Sequence, residues 1–452
     1  MVSESIDTRY AQAVVEPERL SGFHEPDAPP EDVMRACVHC GFCLPACPTY
    51  RLTLRERSSP RGRIALIKSV HEGHLSILDP IFQEEMSLCL NCRACEAACP
   101  SGVKYGELVE TARVQIERVN RHAPHVSLAR AAAFRGAFGS TRRFRALSSG
   151  LRLYQRSGAR QVVRKSGVLK LMNLSKQEAM LPELKEEFLV PGQEYWPAEG
   201  ERRGTVALLA GCIMSTAYAD VDRATARVLA RNGYDVVVPT GQGCCGALAV
   251  HSGDMDNGRV QARANIEAFD NPQFDAVIVN AAGCGAAMKE YGFLLRDDPA
   301  YAERAKQFSA RVKDATEFLA QAGLTSQPGQ LNIDVTYQEP CHLAHAQRIT
   351  REPRELLNAI PGLTLVEMPE STMCCGSAGI YNLMQPEMSS ALLTRKLDNA
   401  ATTGVRTIVS ANPGCMMQLV AGLRERGEQV EVVHIMTLLD RAYAAASAPE
   451  IA

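Results

Sequence analysis

Eight cysteines within the first hundred residues repeat one spacing: Cys37, Cys40, Cys43 and Cys47 followed by Pro48, then Cys89, Cys92, Cys95 and Cys99 followed by Pro100. Each copy reads C-x2-C-x2-C-x3-C-P, a run that holds iron-sulfur clusters. Three thiolates two residues apart on a tight loop can turn toward three irons of one [4Fe-4S] cubane, while the fourth reaches the other cluster of a pair. That rule assigns Cys37, Cys40, Cys43 and Cys99 to one cluster, and Cys89, Cys92, Cys95 and Cys47 to the second. Proline after the last cysteine is expected to stop the loop from continuing as helix. Structural zinc and disulfides are the competing uses of such cysteines. A zinc site normally pairs two cysteines with two distant ones, whereas here the third is immediate and the whole unit is duplicated. The chemistry expected is electron transfer.

The other eight cysteines form a second, slower repeat. Cys212, then Cys244 and Cys245 with Gly246, then Cys284, recurs as Cys341, Cys374 and Cys375 with Gly376, and Cys415, at offsets of 129, 130 and 131 residues. The copies are nearly in register. Residues 276–284 (AVIVNAAGC) and 407–415 (TIVSANPGC) each read as a buried strand ending in a small-residue turn that presents a cysteine. Ligand sites in open α/β sheets form at that carboxyl edge. Adjacent cysteines point in different directions and a following glycine permits an unusual backbone, so a cofactor site at each repeat is the preferred reading, against buried reduced thiols. Gly241, Gly243 and Gly246 formally spell G-x-G-x-x-G, but the second copy keeps only the last of the three, which argues against a dinucleotide site. His342 and His345, beside Cys341, are open as ligands, proton donors or structural histidines.

These cysteines need elements to position them. The chain has 452 residues, 46% of them hydrophobic and 22% charged, enough for two or three separate cores. No basic stretch followed by an apolar one marks a secretory signal in the first residues, and no run of 18 apolar residues marks a membrane span. Sixteen cysteines without an export signal suggest metal ligation in a reducing cytoplasm. The expected fold is α+β and multidomain. Residues 1–30 are polar and expected to lack fixed structure. A helical two-cluster domain follows at 31–119, whose long gap between the motifs includes a helix at about 61–73. There Arg61 and Arg63 could bring guanidinium groups near anionic clusters. A basic helical connector is expected at 120–203, then α/β modules at 204–323 and 324–446. Strands are expected at 205–210, 235–238, 276–280, 332–337, 364–367, 407–411 and 431–433, with helices at 221–232, 255–269, 386–401 and 416–426.

Charge is concentrated between them. Residues 111–170 contain fourteen Lys or Arg against one acidic residue, Glu117. Leucines and phenylalanines lie among the arginines at helical spacing, so the segment can meet an anionic membrane or an acidic partner subunit, or be a solvated connector. No reader module for nucleic acid accompanies it.

Two C-x2-C-x2-C-x3-C-P motifs followed by two cysteine-rich modules with a CCG turn resemble the iron-sulfur subunits of glycolate oxidase (glycolate dehydrogenase), anaerobic glycerol-3-phosphate dehydrogenase, lactate-utilisation complexes and heterodisulfide reductase. RACVHCGFCLPACPTY at 35–50, PRGRIALIK at 60–68, CLNCRACEAACPSGVKYGEL at 89–108, GCGAAMKEYG at 283–292, HLAHAQ at 342–347 and CCGSAGIYNL at 374–383 look most like the glycolate oxidase iron-sulfur subunit. The resemblance implies a helical ferredoxin-type domain with two [4Fe-4S] clusters, then two tandem α/β CCG modules with a further cluster or metal in one or both. It implies an electron relay from an FAD-binding subunit, with a second flavoprotein-like subunit in the complex, toward a quinone or another membrane acceptor. The complex would oxidise glycolate to glyoxylate as a 2-hydroxy-acid oxidoreductase with a non-NAD acceptor, this chain carrying electrons only. The place implied is the cytoplasm, with peripheral contact on the inner face of the cell membrane. D-lactate, lactate-utilisation or glycerol-3-phosphate oxidation, or reduction at a CCG cluster as in heterodisulfide reductase, are the alternatives. In heterodisulfide reductase each module supplies five cysteines to a non-cubane cluster, whereas here the last positions are Ala287 and Gln418.

Overall fold

Prolines and short polar caps divide the N-terminal region into helices. In the computed structural model, which describes residues 22–120, 122–171, 178, 181–184 and 187–446, Ser59 accepts from the Gly62 N–H ahead of helix Pro60–His71, and Asp79 from the Ile81 and Phe82 N–H groups ahead of helix Pro80–Leu88. Both helices carry proline in the first turn, where no N–H is missed. They pack with helix Tyr105–Val119 around Ile67, Val70, Phe82, Met86, Leu108 and Val109. Pro48 departs from expectation. It opens helix Pro48–Thr53, because a fixed φ that stops a helix from within also suits its first position.

The start of the chain also departs from expectation. Residues 22–30 were expected to lack fixed structure with the rest of 1–30, and residues 1–21 lie outside the described residues. Instead Phe23 lies 6.1 Å from the Phe82 ring, and Gln115 donates to the carbonyls of His24 and Pro26 at 2.6 and 3.0 Å. The Asp27 side chain is fully buried between Arg118 and Arg259. One carboxylate thus ties this segment to helix Tyr105–Val119 and to the first α/β module.

The connector expected at 120–203 is helical up to Leu171, through Pro124–Ala131, a π-helical turn at Ala132–Ala137, Thr141–Arg156, Ala159–Lys165 and Val168–Leu171, whereas Tyr195–Trp196 is a strand of the first sheet. Across those elements only Phe134 and Ser148 are buried.

The first sheet contains β1 (Tyr195–Trp196), β2 (Gly204–Leu208), β3 (Tyr234–Val237), β4 (Ala276–Val279) and β5 (Val312–Asp314), in the order β1-β3-β2-β4-β5. The second contains β6 (Ile333–Tyr337), β7 (Leu363–Leu365), β8 (Thr407–Ser410) and β9 (Glu431–His434), in the order β7-β6-β8-β9. All pairs are parallel except β1 with β3. Leaving β1 aside, the two sheets have the same strand order, as expected of a duplication. Inner strand β4, AVIV, is an unbroken apolar run buried throughout, because both faces of the sheet are covered. β1 and β5 were not foreseen, since two and three residues are too few to show a period.

Besides a core of its own, each module contributes to a shared one. Val206, Leu208, Ala226 and Ile278 of the first share one buried cluster with Val335, Val409, Leu438 and Tyr443 of the second. Helix Ala219–Arg231 packs on helix Ile435–Ala446, Arg227 pairs with Asp440 at 2.6 Å, and His434 Nε2 donates to the Asn280 carbonyl at 2.9 Å.

Burial pushes the Asp27 carboxyl up, but Arg259 and Arg118 outweigh it and hold it below the usual carboxylate range. Its contribution is therefore present above that range and lost as pH falls through it. D27N should cost about 2 kcal/mol at neutral pH, since it removes the buried charged acceptor that Arg118 and Arg259 share. In thermal melts followed by circular dichroism, the gap between D27N and the natural chain should narrow below about pH 4.

Candidate metal centres

Each N-terminal cysteine loop is bent by two left-handed residues at matching places. His39 and Gly41 have φ of 54° and 88°, and Asn91 and Arg93 have 52° and 62°. The turns bring the loop cysteines round to one side, and Arg93 holds a conformation disfavoured for a side-chain-bearing residue. Its guanidinium is locked by Glu96 at 3.0 Å and by Glu110 and Glu290 at 3.1 Å.

Two small cavities lie between the loops. Cys37, Cys40, Cys43, Cys95 and Cys99 line one of about 30 Å³, together with Arg61 and Tyr105. Cys47, Cys89, Cys92 and Cys95 line the other, of about 20 Å³, with Arg63 and Tyr105. The fold thus brings Cys99 to the first motif and Cys47 to the second. Cys40 is exposed, as are Val38 and Phe42 beside it, whereas Cys47, Cys89, Cys92 and Cys95 are buried. Among the described residues no three His, Cys, Asp or Glu side chains converge as a single metal ion requires. The N-terminal thiols enclose volumes instead, as ligands to different irons of one cluster do.

Both arginines of the PRGR segment face these cavities. Arg61 donates to the His39 carbonyl at 3.1 Å. Arg63 is buried, donating to Thr49 Oγ1 at 3.1 Å and to the Glu85 carbonyl at 2.7 Å. Burial pushes the Cys89 thiol up, yet Arg63 and Arg113, with Tyr105 Oη donating to the sulfur at 3.5 Å, hold it below the usual thiol range. Cys92 and Cys95 are driven up by burial, so binding metal there must release protons.

The remaining eight cysteines all sit at carboxyl ends of strands. Cys212 follows β2, Cys244 and Cys245 follow β3, and Cys284 lies in helix Ala282–Lys289 after β4; Cys341, Cys374, Cys375 and Cys415 repeat this after β6, β7 and β8. The edge between β2 and β4, or β6 and β8, is where strand order reverses and a crevice opens. Gly246 and Gly376 have φ of 88° and 87°, and a Cβ at Gly376 would lie 2.6 Å from the Ser389 carbonyl oxygen. Cys212 and Cys244 sulfurs are 3.7 Å apart. Sulfur contacts also join Cys374 to Cys341 and Cys375, and Cys375 to Cys415.

The two quartets, each expected to form a cofactor site, line one continuous cavity of about 450 Å³, whose wall also includes Cys89, Asn91, His251, His342 and Tyr381. His342 Nε2 bonds to the Asn91 carbonyl at 2.9 Å, and burial pushes the imidazole down to about 3, leaving it neutral. His345 is engaged by the Thr372 carbonyl at 3.1 Å. The glycine-rich turn at 241–246 offers no free cradle, since the Gly243 N–H donates to Asn265 Oδ1 at 2.8 Å. Gln418 is buried between Ser389 and Asn382.

One cluster of polar residues was not foreseen. Glu110 accepts from Asn91 at 2.6 Å, pairs with Arg93 at 3.1 Å and meets His251 Nδ1 at 3.0 Å, joining the cysteine loop to the first α/β module. Only the unusual Asn and Arg inside CLNCRAC hinted at it.

Family models match along the chain: a 4Fe-4S dicluster domain at 33–103, the linker region of the glycolate oxidase iron-sulfur subunit at 125–181, and a cysteine-rich CCG domain at 206–289 and 335–420. A probable glycolate oxidase iron-sulfur subunit of Bacillus subtilis (strain 168) is 42% identical over 89% of this chain and 92% of its own length. The glycolate oxidase iron-sulfur subunit of Escherichia coli (strain K12) is 35% identical over 89% and 94%. The chain belongs to the glycolate oxidase iron-sulfur subunit family. Lactate utilization protein A of Bacillus subtilis (strain 168) is a more distant relative, 28% identical over 52% of this chain. As an iron-sulfur subunit of this family, the chain is an electron-transfer component of an oxidoreductase complex, built from a 4Fe-4S ferredoxin domain and two CCG domains.

Because Glu110 is the shared buried acceptor of this iron-sulfur subunit's domain junction, E110Q should lower stability by about 3 kcal/mol. Glu290, 39% exposed, is the control: E290Q should cost under about 1 kcal/mol. Chemical denaturation of the two variants checks the order.

Proposed function

We propose that the chain relays electrons from an FAD-binding partner subunit, which oxidises glycolate to glyoxylate, toward a quinone or another membrane electron acceptor. A second flavoprotein-like subunit completes the complex. Cys37, Cys40, Cys43 and Cys99 hold one [4Fe-4S] cluster, and Cys47, Cys89, Cys92 and Cys95 the other. The observation that carries this reading is the pair of adjoining thiol-lined cavities, which share Cys95 and Tyr105, one reaching the surface at Cys40 and the other buried. Bound clusters supply the one-electron carriers. The chain's own residues exclude water around Cys47, Cys89, Cys92 and Cys95, offset thiolate charge with Arg63, and donate a hydrogen bond from Tyr105 to Cys89. The quartets Cys212, Cys244, Cys245, Cys284 and Cys341, Cys374, Cys375, Cys415 hold further iron-sulfur centres around the shared cavity.

The complex works in the cytoplasm, against the inner face of the membrane. No described helix is long and apolar enough to cross a membrane, so contact falls to the basic connector. On helix Thr141–Arg156, Leu147 and Leu153 are 66% and 68% exposed, with Arg142 and Arg143 also exposed. Apolar side chains among cations suit an anionic lipid surface.

Anaerobic addition of glycolate and the flavin subunit should bleach the visible absorbance of the clusters. If dithionite bleaches them and this mixture does not, the relay from glycolate is wrong. Crossed ligation predicts that Cys47→Ser changes the electron paramagnetic resonance signal of the cluster at the second motif, and Cys99→Ser that at the first; the opposite pairing would refute it.

Each basic residue near an anionic surface contributes about 1 kcal/mol. Reversing Arg142, Arg143 and Arg145 to Glu should therefore weaken sedimentation with anionic vesicles by a hundredfold or more, roughly, in affinity. High salt should weaken the natural chain in the same way.

A further inference from the structure

The two cysteine quartets are copies in sequence but not in surroundings. The second meets the ferredoxin domain through an apolar junction: Leu90, Cys92 and Ala94 pack with Met373, Cys374 and Tyr381, and Cys341 lies against the same cluster. The turn after Cys341, His342–Ala346, rests on helix Ala94–Ala97. Backbone bonds fix the fit, with Tyr381 Oη donating to the Leu88 carbonyl at 2.9 Å and Arg348 to the Glu96 and Ala97 carbonyls at 3.0 and 3.2 Å. Cys92 lies close enough to Cys341 to feel its charge. The first quartet meets the ferredoxin domain differently: Cys245 and Cys284 pack in a cluster that takes one ferredoxin-domain side chain, Val114, and none of its cysteines, and the same face carries the ion pairs of Arg93 with Glu290 and Glu110 with His251.

A second difference lies behind the quartets. Lys396, on helix Pro386–Ala401, is fully buried and donates to the Glu370 and Ser371 carbonyls at 2.7 and 3.0 Å, just before Cys374. Its ammonium acts electrostatically on Cys375, Cys374, Cys415 and Cys341, all four of the second quartet. The offset of 130 to 131 residues between copies puts Ile266 or Asn265 in its place in the first module. Asn265 is neutral and donates to the Cys244 carbonyl at 2.9 Å. The groups that act most strongly on Cys212, Cys244 and Cys245 are other cysteines and backbone N–H groups, with no cation among them.

We propose that the second quartet, Cys341, Cys374, Cys375 and Cys415, is the station that exchanges electrons with the ferredoxin domain, and that Lys396 is the positioning residue that makes it the electron-accepting site. This rests on the relay reading and names its route. A fixed positive charge in a low-dielectric interior favours whichever redox state carries one more electron. In the step, the centre held with Cys92 loses one electron and the centre at the second quartet gains it. No bond forms or breaks, and no proton is transferred.

The test uses the full-length, anaerobically reconstituted chain. K396Q removes the charge while its amide can still donate toward the two carbonyls; K396R restores charge. In a redox titration followed by electron paramagnetic resonance, K396Q should shift one centre to lower potential, by at least about 59 mV, the one-electron equivalent of a tenfold change in the ratio of reduced to oxidised forms. K396R should stay near the natural value, and the two N-terminal clusters should not move in either. Freeze-quenched samples reduced through the flavin partner and glycolate complete the test. Cys341→Ala should stop electrons beyond the N-terminal clusters, whereas Cys212→Ala should leave the second-quartet centre reducible at the natural rate. An unshifted potential in K396Q, an equal shift in K396R, or loss of transfer in Cys212→Ala alone would overturn the proposal. A chain with no centre at the second quartet would overturn it too, while leaving the N-terminal relay standing. N-terminal clusters that glycolate and the partner never reduce would instead defeat the relay reading, with the K396Q shift still measurable.

Discussion

Thiolates gathered in a protein interior repel one another and lose the water that stabilises their charge. Sixteen cysteines can therefore be brought together only where something else answers that cost. Around Cys89 the answer is Arg63 and Arg113 with the Tyr105 hydroxyl; around Cys374 and Cys375 it is Lys396. The cations in turn must be held. Arg63 is tied to Thr49 and Glu85, and Lys396 to two backbone carbonyls. Much of the helical packing of the ferredoxin domain can be understood as the framework for these few charges.

The N-terminal motif was legible because its spacing is local. Three cysteines within seven residues declare their chemistry before any fold is known, and the duplication settles which cysteines belong to the pair of loops. The CCG repeat was legible for a related reason, since strand, small-residue turn and cysteine recur at one offset. What stayed hidden depends on faces meeting across long separations. That both quartets open on a common cavity goes with the meeting of their strand ends, where the Ala282 N–H donates to the Ala411 carbonyl and the Gly283 N–H to Asn412 Oδ1, which no period in either segment announces. Likewise Asp27 reads as part of a polar leader until Arg118 and Arg259 are placed beside it, and Glu110 reads as an ordinary helical glutamate until His251 arrives from another module.

Repetition at the level of strands coexists with divergence at the level of neighbours. The strand order, the left-handed glycine after each cysteine pair and the helix-borne last cysteine are kept in both modules. The buried residue behind the pair is not, being Lys396 in one copy and an uncharged residue in the other. Geometry common to both copies can build two similar holders, while a single charge difference gives them unequal affinity for an electron.

The fused core of the two modules bears on how such a chain can change over generations. Val206, Ala226, Val335 and Leu438 sit in one cluster, so a larger or smaller side chain on one copy disturbs its sister. Ancestral duplicates usually drift apart freely once each folds alone; these are bound to drift as partners. Change is easiest at the strand ends, outside the shared core, which is where the cysteines stand.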